Sequence, residues 1–223
     1  MSGERIEIVE GDITRPGLGL ERPAALQSGV REIYHLAAIY DLGVRREVGM
    51  RINVEGTRHM LDFAAGCAGL ERFQYVSTCY VSGRHPGLFE ESDLDVGQAF
   101  NNFYEETKFL AEVEVQRASR DGLPTTIYRP TIVVGDSRTG ATQKYDGPYT
   151  ALRLLLRQPR IALMPVIGEA SRTRMNVVPR DFVVDAIAYL SGIERSRGRV
   201  YHLADHAPLT VGEIIDAMGV ATG

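Results

Sequence analysis

At 223 residues, with 44% hydrophobic residues and a net charge of -4, the chain can bury one sizeable core, and its scattered basic residues argue against a nucleic-acid partner. No apolar run approaches the ~18 residues of a membrane span, the start lacks the basic and apolar stretches of a secretion signal, and two cysteines make no disulfide framework. A cytoplasmic protein acting on small molecules is expected.

In chain order, short β-rich runs alternate with amphipathic stretches, the pattern of βαβ units around a mostly parallel sheet. Strands are expected at residues 5–9 and 32–36. A helix follows, with Arg51, Glu55, Arg58 and Asp62 on its polar face and Asn53, Thr57, Met60 and Ala64 on another. Residues 72–77 form the next strand, which ends in the hydroxyl-rich run Ser77-Thr78-Cys79-Tyr80-Val81-Ser82-Gly83. The second long helix shows a polar stripe of Glu105, Glu112, Gln116 and Arg120 and stops at Asp121-Gly122, ahead of Pro124. After a strand at 125–129, residues 135–149 are dense in turn formers, and so long a loop reads as a substrate-side element. A helix at 151–156, a strand at 175–178, a helix at 180–190, a strand at 200–203 and a helix at 211–218 follow.

Twenty-three of the 25 basic residues are arginine, so the two lysines stand out, and one of them, Lys108, follows Tyr104 by four positions. Residues four apart share a helix face. An ammonium near a phenol favours the phenolate and moves it toward a working pH for proton exchange with a substrate oxygen. Thr78, at a strand end, supplies a hydroxyl to hold that oxygen, because ligands of open α/β sheets collect at the carboxyl ends of strands. The five histidines are dispersed and indicate no metal, and no Gly-x-Ser-x-Gly nucleophile turn is present.

These segments together resemble the extended short-chain dehydrogenase/reductase family. The matching stretches are Glu10-Gly-Asp-Ile-Thr14, Tyr34-His-Leu-Ala-Ala38, Asn53-Val-Glu-Gly-Thr57, the strand end from Val76 to Gly83, Tyr104-x-x-x-Lys108, Tyr128-Arg-Pro-Thr-Ile132 and Asn176-Val-Val-Pro-Arg-Asp181. The resemblance implies a Rossmann-like, doubly wound parallel α/β sheet with a small C-terminal substrate cap, drawn largely from residues 136–223 of one continuous domain. It implies Tyr104 as acid/base, Lys108 as the residue that lowers its pKa and holds the nicotinamide ribose, and Thr78 as the residue that orients the substrate oxygen. Asp12 and Ile13 would lie beside the adenine, Leu36, Ala37 and Ala38 along the cofactor, and Pro130, Thr131 and Ile132 near the nicotinamide, with Asn53 completing the cofactor site. The stretch Arg129-Pro-Thr-Ile-Val-Val-Gly-Asp-Ser-Arg-Thr-Gly-Ala-Thr, with Asp146-Gly-Pro-Tyr after it, looks most like thioester reductases and fatty acyl-CoA reductases. The implied activity is NADP-dependent, with NAD as the alternative, on an acyl thioester or related carbonyl, free or carrier-bound, in a monomer or a homodimer. Nucleotide-sugar epimerases, dehydratases and hydroxysteroid-type dehydrogenases share the core motifs, and a non-catalytic binding module is the alternative outside enzymes.

The family's opening strand, its Gly-x-x-Gly-x-x-Gly turn and the strand that selects between NAD and NADP have no counterpart in the sequence. The expectation is an N-terminally incomplete domain, a fragment or a chain with a misplaced start, whose upstream ~60 residues supply them. Its sheet would carry a central gap, with unpaired backbone groups and exposed apolar faces that make the segment unstable or associating. The end at Gly223 reads as a truncation too.

Overall fold

The structure, a computed structural model, describes residues 6–145, 147–158 and 169–222. Its elements in order are α1 (Pro23–Gln27), β1 (Glu32–His35), α2 (Arg46–Gly49), α3 (Gly56–Ala65), β2 (Arg72–Val76), α4 (Phe103–Arg120), β3 (Thr125–Pro130), β4 (Ile132–Val134), α5 (Pro148–Leu156), β5 (Val177–Pro179), α6 (Arg180–Ser191), β6 (Arg199–Leu203) and α7 (Val211–Thr222). Asp146 of the long loop, Arg5 of the expected first strand and Gly223 lie outside the described residues.

The chain divides into two compact units. The first holds the residues up to Arg129 together with Leu190–Tyr201; the second holds Pro130–Tyr189 and the residues from His202 onward. The second unit therefore starts six residues ahead of the cap expected from residue 136, and a segment of that expected cap belongs to the first unit. Arg72 shows why. Its guanidinium donates to the Ile193 carbonyl at 2.8 Å and to Ser196 Oγ at 3.1 Å, and it pairs with Glu194 at 3.2 Å, so the 190–201 segment is fastened to β2.

The sheet order is β1-β2-β3-β6, with β1, β2 and β3 parallel; Tyr75 lies opposite His35 and opposite Ile127. The alternation of β-rich and helical segments already predicts this parallel arrangement. β2 and β3 are buried along almost their whole length, Arg72, Gln74, Thr125, Thr126 and Arg129 included, whereas β1 alternates exposed and buried positions. Phe63 and Ala64 of α3, Ala111 and Val115 of α4, and Phe73, Tyr75 and Ile127 of the sheet form one core cluster. Each large side chain sealed there contributes about 1.5–3 kcal/mol. Residues 6–9 form no strand. Ile6 and Ile8 are 87% and 89% exposed, because a strand exists only as part of a ladder and these residues have no ladder partner among the described residues.

Helix α4 carries the site's central residues. Asn102 caps it by accepting from the Glu105 N–H at 3.0 Å, and Glu105 reaches back to the Asn101 N–H at 2.8 Å, so the helix starts one residue before Tyr104. The expected polar stripe is altered: Glu105 is 4% exposed and Glu112 fully buried. Glu112 sits there because Arg129, itself fully buried, pairs with it at 2.6 Å, and Ser77 Oγ donates to it at 2.5 Å. Between α2 and α3 the helix continues through a π turn at Met50–Glu55, where the Gly56 N–H reaches back five residues to the Arg51 carbonyl.

In the second unit β4 and β5 pair in parallel, Ile132 opposite Val177. Thr210 caps α7 in a reciprocal arrangement: its N–H donates to Glu213 at 2.7 Å, and the Glu213 N–H donates to its hydroxyl at 3.2 Å. Among the described residues no helix is long and apolar enough to cross a membrane.

Candidate active site

The carboxyl end of β2 turns sharply. Thr78 is extended, with φ of -158°, and its Oγ1 accepts from the Tyr80 N–H at 3.2 Å to start a single 3-10 turn over Cys79–Ser82. The turn closes at Gly83, whose φ of 51° suits glycine and where a Cβ would stand 2.3 Å from the Ala99 carbonyl oxygen. The glycine five residues after Thr78 is therefore a backbone requirement that sets where the hydroxyl stands. The Cys79 thiol is tied to the Arg129 carbonyl at 2.9 Å, and burial pushes it up to about 12, so it is no nucleophile at neutral pH.

Tyr104, in the first turn of α4, is 6% exposed and its phenol lies beside the Thr78 side chain. The ring of Tyr40 meets it edge-on, with centroids 5.1 Å apart. Burial pushes the Tyr104 phenol above its ordinary value, with the Thr78 side chain acting in the opposite direction, so it stands protonated at neutral pH. Lys108, one turn further along and 4% exposed, donates to the Val76 carbonyl at 2.9 Å and to the Tyr75 phenol at 3.0 Å. Burial lowers it to about 8, while the Glu112 carboxylate acts to raise it. Its ammonium thus lies against β2. The lowering of the Tyr104 pKa expected from the four-residue spacing is not what surrounds that phenol here, where burial is the largest influence.

Asn53 faces inward from the π turn, and its side chain is fully engaged. Oδ1 accepts from the Ile39 N–H at 2.8 Å and Nδ2 donates to Thr107 Oγ1 at 3.1 Å, fastening the segment after β1 to α4. Leu36, Ala37 and Ala38, on that segment, are exposed. Asp12 accepts from the Thr14 N–H at 2.9 Å and hydroxyl at 2.7 Å, which holds its carboxyl below the usual range, and the Ile13 carbonyl meets His59 Nδ1 at 2.8 Å. Within the second unit, Thr131 Oγ1 donates to Asn176 Oδ1 at 3.0 Å and the Ile132 N–H to the Asn176 carbonyl at 3.3 Å, next to buried Pro130.

The first unit thus brings Thr78, Tyr104 and Lys108 together at the end of one strand and the start of one helix. Asp12 and Ile13 stand apart, against α3, and Pro130, Thr131 and Ile132 belong to the other unit. Sequence reasoning missed Tyr75 and Glu112 as companions of Lys108. Tyr75 lies in a strand buried on both faces, where alternation carries no signal.

An NAD-binding family model described as male sterility protein matches residues 1–187. The chain is 31% identical over 221 residues to glycine betaine reductase ATRR of Emericella nidulans, covering 96% of this chain and 17% of that protein. It is 26% identical over 210 residues to the fatty acyl-CoA reductase wat of Drosophila melanogaster, covering 82% of this chain and 40% of that one. Among solved structures, the terminal R domain of the myxalamid PKS-NRPS biosynthetic pathway superposes with a TM-score of 0.83 at 32% identity, covering 95% of this chain and 53% of that chain. The chain therefore spans only part of the length of the relatives it matches.

Proposed function

Because the chain belongs to the NAD-binding family described as male sterility protein, we propose that it carries the substrate-side part of a nicotinamide-dependent reductase of acyl thioesters, using NADP in preference to NAD. The observation that carries this reading is the buried Tyr104 phenol beside Thr78 at the end of β2, with Lys108 one turn away and bonded to the Val76 carbonyl.

The residues fit a nicotinamide cofactor at its ribose end. Lys108 has three N–H donors and spends two on the protein, which leaves one for a bound hydroxyl. Asp12 and Ile13 would take the adenine, Leu36 to Ala38 and Asn53 the middle of the cofactor, and Pro130 to Ile132 the nicotinamide. The cofactor supplies a hydride when bound. The chain's own part is the proton: Tyr104, kept protonated by burial, gives it from Oη to the oxygen that gains charge, and the Thr78 hydroxyl holds that oxygen in line. A protonated phenol suits reduction, which consumes a proton.

Similarity to a fatty acyl-CoA reductase and to an R domain of a PKS-NRPS pathway supports a thioester substrate, on coenzyme A or on a carrier. The setting we propose is cytoplasmic, as a monomer or homodimer. The test follows NADPH consumption with acyl-CoA and then with UDP-sugars. Turnover with the thioester alone is expected; silence with thioesters, or turnover with the sugars, overturns the reading.

A further inference from the structure

The glutamates that cap α4 and α7 stand in different surroundings. Glu213, in the box it forms with Thr210, is exposed, whereas Glu105 is buried. A buried carboxylate is stable only where donors replace its water. Glu105 finds them on two asparagines: Oε2 accepts from the Asn101 N–H at 2.8 Å and from Asn101 Nδ2 at 3.0 Å, and Oε1 accepts from Asn102 Nδ2 at 3.3 Å. Asn101 leads onward, because its Oδ1 accepts from Arg84 Nε at 2.9 Å. A carboxylate only accepts and a guanidinium only donates, so the Asn101 amide can lie only this way round between them. Arg84 follows Gly83, where the turn after Thr78 closes. Two further bonds join the same pieces: the Arg84 N–H donates to the Ala99 carbonyl at 2.8 Å, and Gln98 Nε2 donates to the Val81 carbonyl at 2.8 Å.

We propose that Glu105 is a positioning residue for Tyr104: through Asn101 and Arg84, its carboxylate locks the first turn of α4 onto the turn that follows Thr78. Capping alone does not ask for this. A cap needs one acceptor for an N–H ahead of the helix, and Glu213 supplies that from an exposed position. Glu105 directly follows Tyr104, so the backbone its carboxylate holds is the backbone that aims the phenol. Thr78 and Tyr104 come from different elements, and only bonds between the two turns can fix the distance between their hydroxyls. That distance matters, since a catalytic group misplaced by about 1 Å can cost about a hundredfold in rate. Because both ends of the link meet on one Asn101 amide, losing Arg84 or losing Glu105 breaks the same connection.

The proposal rests on the reductase reading for its kinetic test, and a second measurement needs neither substrate nor cofactor. In the full chain, Glu105→Ala is expected to lower kcat with an acyl-CoA about tenfold or more while KM stays within about twofold, because the proton donor shifts and the substrate contacts remain. Glu105→Gln is expected to recover most of the rate, since its amide oxygen still accepts from the Asn101 N–H. Arg84→Ala, at an exposed position, lowers kcat by less, and the double variant loses less than the product of the two single losses. Glu213→Ala, which removes a like cap from α7, leaves kcat unchanged. Cys79 lies in the locked turn, so in a Cys67→Ser background its reaction with a thiol reagent quickens in Glu105→Ala and in Arg84→Ala, and not in Glu213→Ala. An unchanged kcat in Glu105→Ala, an equal loss in Glu213→Ala, independent losses in the double variant or Cys79 labelling at the wild-type rate overturns the proposal. If Glu105→Ala does not fold, Arg84→Ala decides alone. A wild type silent with thioesters would remove the reductase reading, and the Cys79 labelling would then decide the lock.

Discussion

Tyr104 and Lys108 are separated by one helical turn yet answer to different partners, the first to Thr78 and the second to Tyr75 and Val76. Tyr104→Phe is therefore expected to abolish turnover while leaving the melting temperature nearly unchanged, since the ring contacts remain. Lys108→Arg should also fail despite its charge, because a planar guanidinium cannot fit the tight pair of acceptors; normal rates from that variant would contradict the geometry. His35 makes a pH prediction. Burial, and then the Lys108 charge, lower it to about 4 from 6.5. It is neutral in the fold while the unfolded chain takes up a proton below pH ~6.5, so stability is lost as pH falls from ~6.5 toward 4, by on the order of 3 kcal/mol. Urea midpoints across that range, compared with those of His35→Gln, check it; the variant should lose much less. The Tyr-x-x-x-Lys pair and Thr78 were legible in the sequence through lysine scarcity and a fixed distance to Gly83. Tyr75 was not, because its bond to Lys108 crosses from β2 to α4 and no local spacing encodes it.

At the scale of elements, the end of α4 was legible, since Asp121-Gly122 ahead of Pro124 marks it, whereas its start at the Asn102 cap came from the structure. What its pattern concealed is that Glu112 is core. A carboxylate in a helical polar stripe reads as solvated until a guanidinium 17 residues later is found buried against it at 2.6 Å. The Glu112–Arg129 pair joins α4 to β3, and Arg129 also donates to the Asp93 carbonyl at 2.7 Å, so it anchors the loop ahead of the helix. Removing either partner strands a buried charge, and Glu112→Met or Arg129→Met alone should each cost about 3–5 kcal/mol. The double variant is expected to recover much of that loss in a double-mutant cycle read by denaturant unfolding. Strict additivity would show that the pair is not coupled. The short strand β4 escaped sequence reading for a related reason: its three residues pair with β5, 45 positions away, and have no neighbour nearby to signal it.

For the molecule as a whole, the fold class followed from alternating β and helical segments, whereas the division into two units did not, because Leu190–Tyr201 joins the first unit through contacts to Arg72 more than 120 residues away. Among the described residues β1 pairs only with β2, and Tyr34, Leu36, Ile6 and Ile8 are 46%, 61%, 87% and 89% exposed. Such an open edge, in a chain that also exposes apolar side chains at residues 6 and 8, favours pairing with another copy. Sedimentation velocity is expected to show association that rises with concentration and falls in Tyr34→Lys with Ile8→Lys; a single species unchanged at all concentrations would speak against it. Cys67 and Cys79 give the chain a built-in reporter. Cys67 is 5% exposed, Cys79 is held on the Arg129 carbonyl, and burial raises both thiols, so a thiol reagent gains them only when their surroundings open. Both belong to the first unit and the sequence has no tryptophan. Labelling kinetics would therefore time the opening of the sheet and its helices alone, while the second unit remains silent.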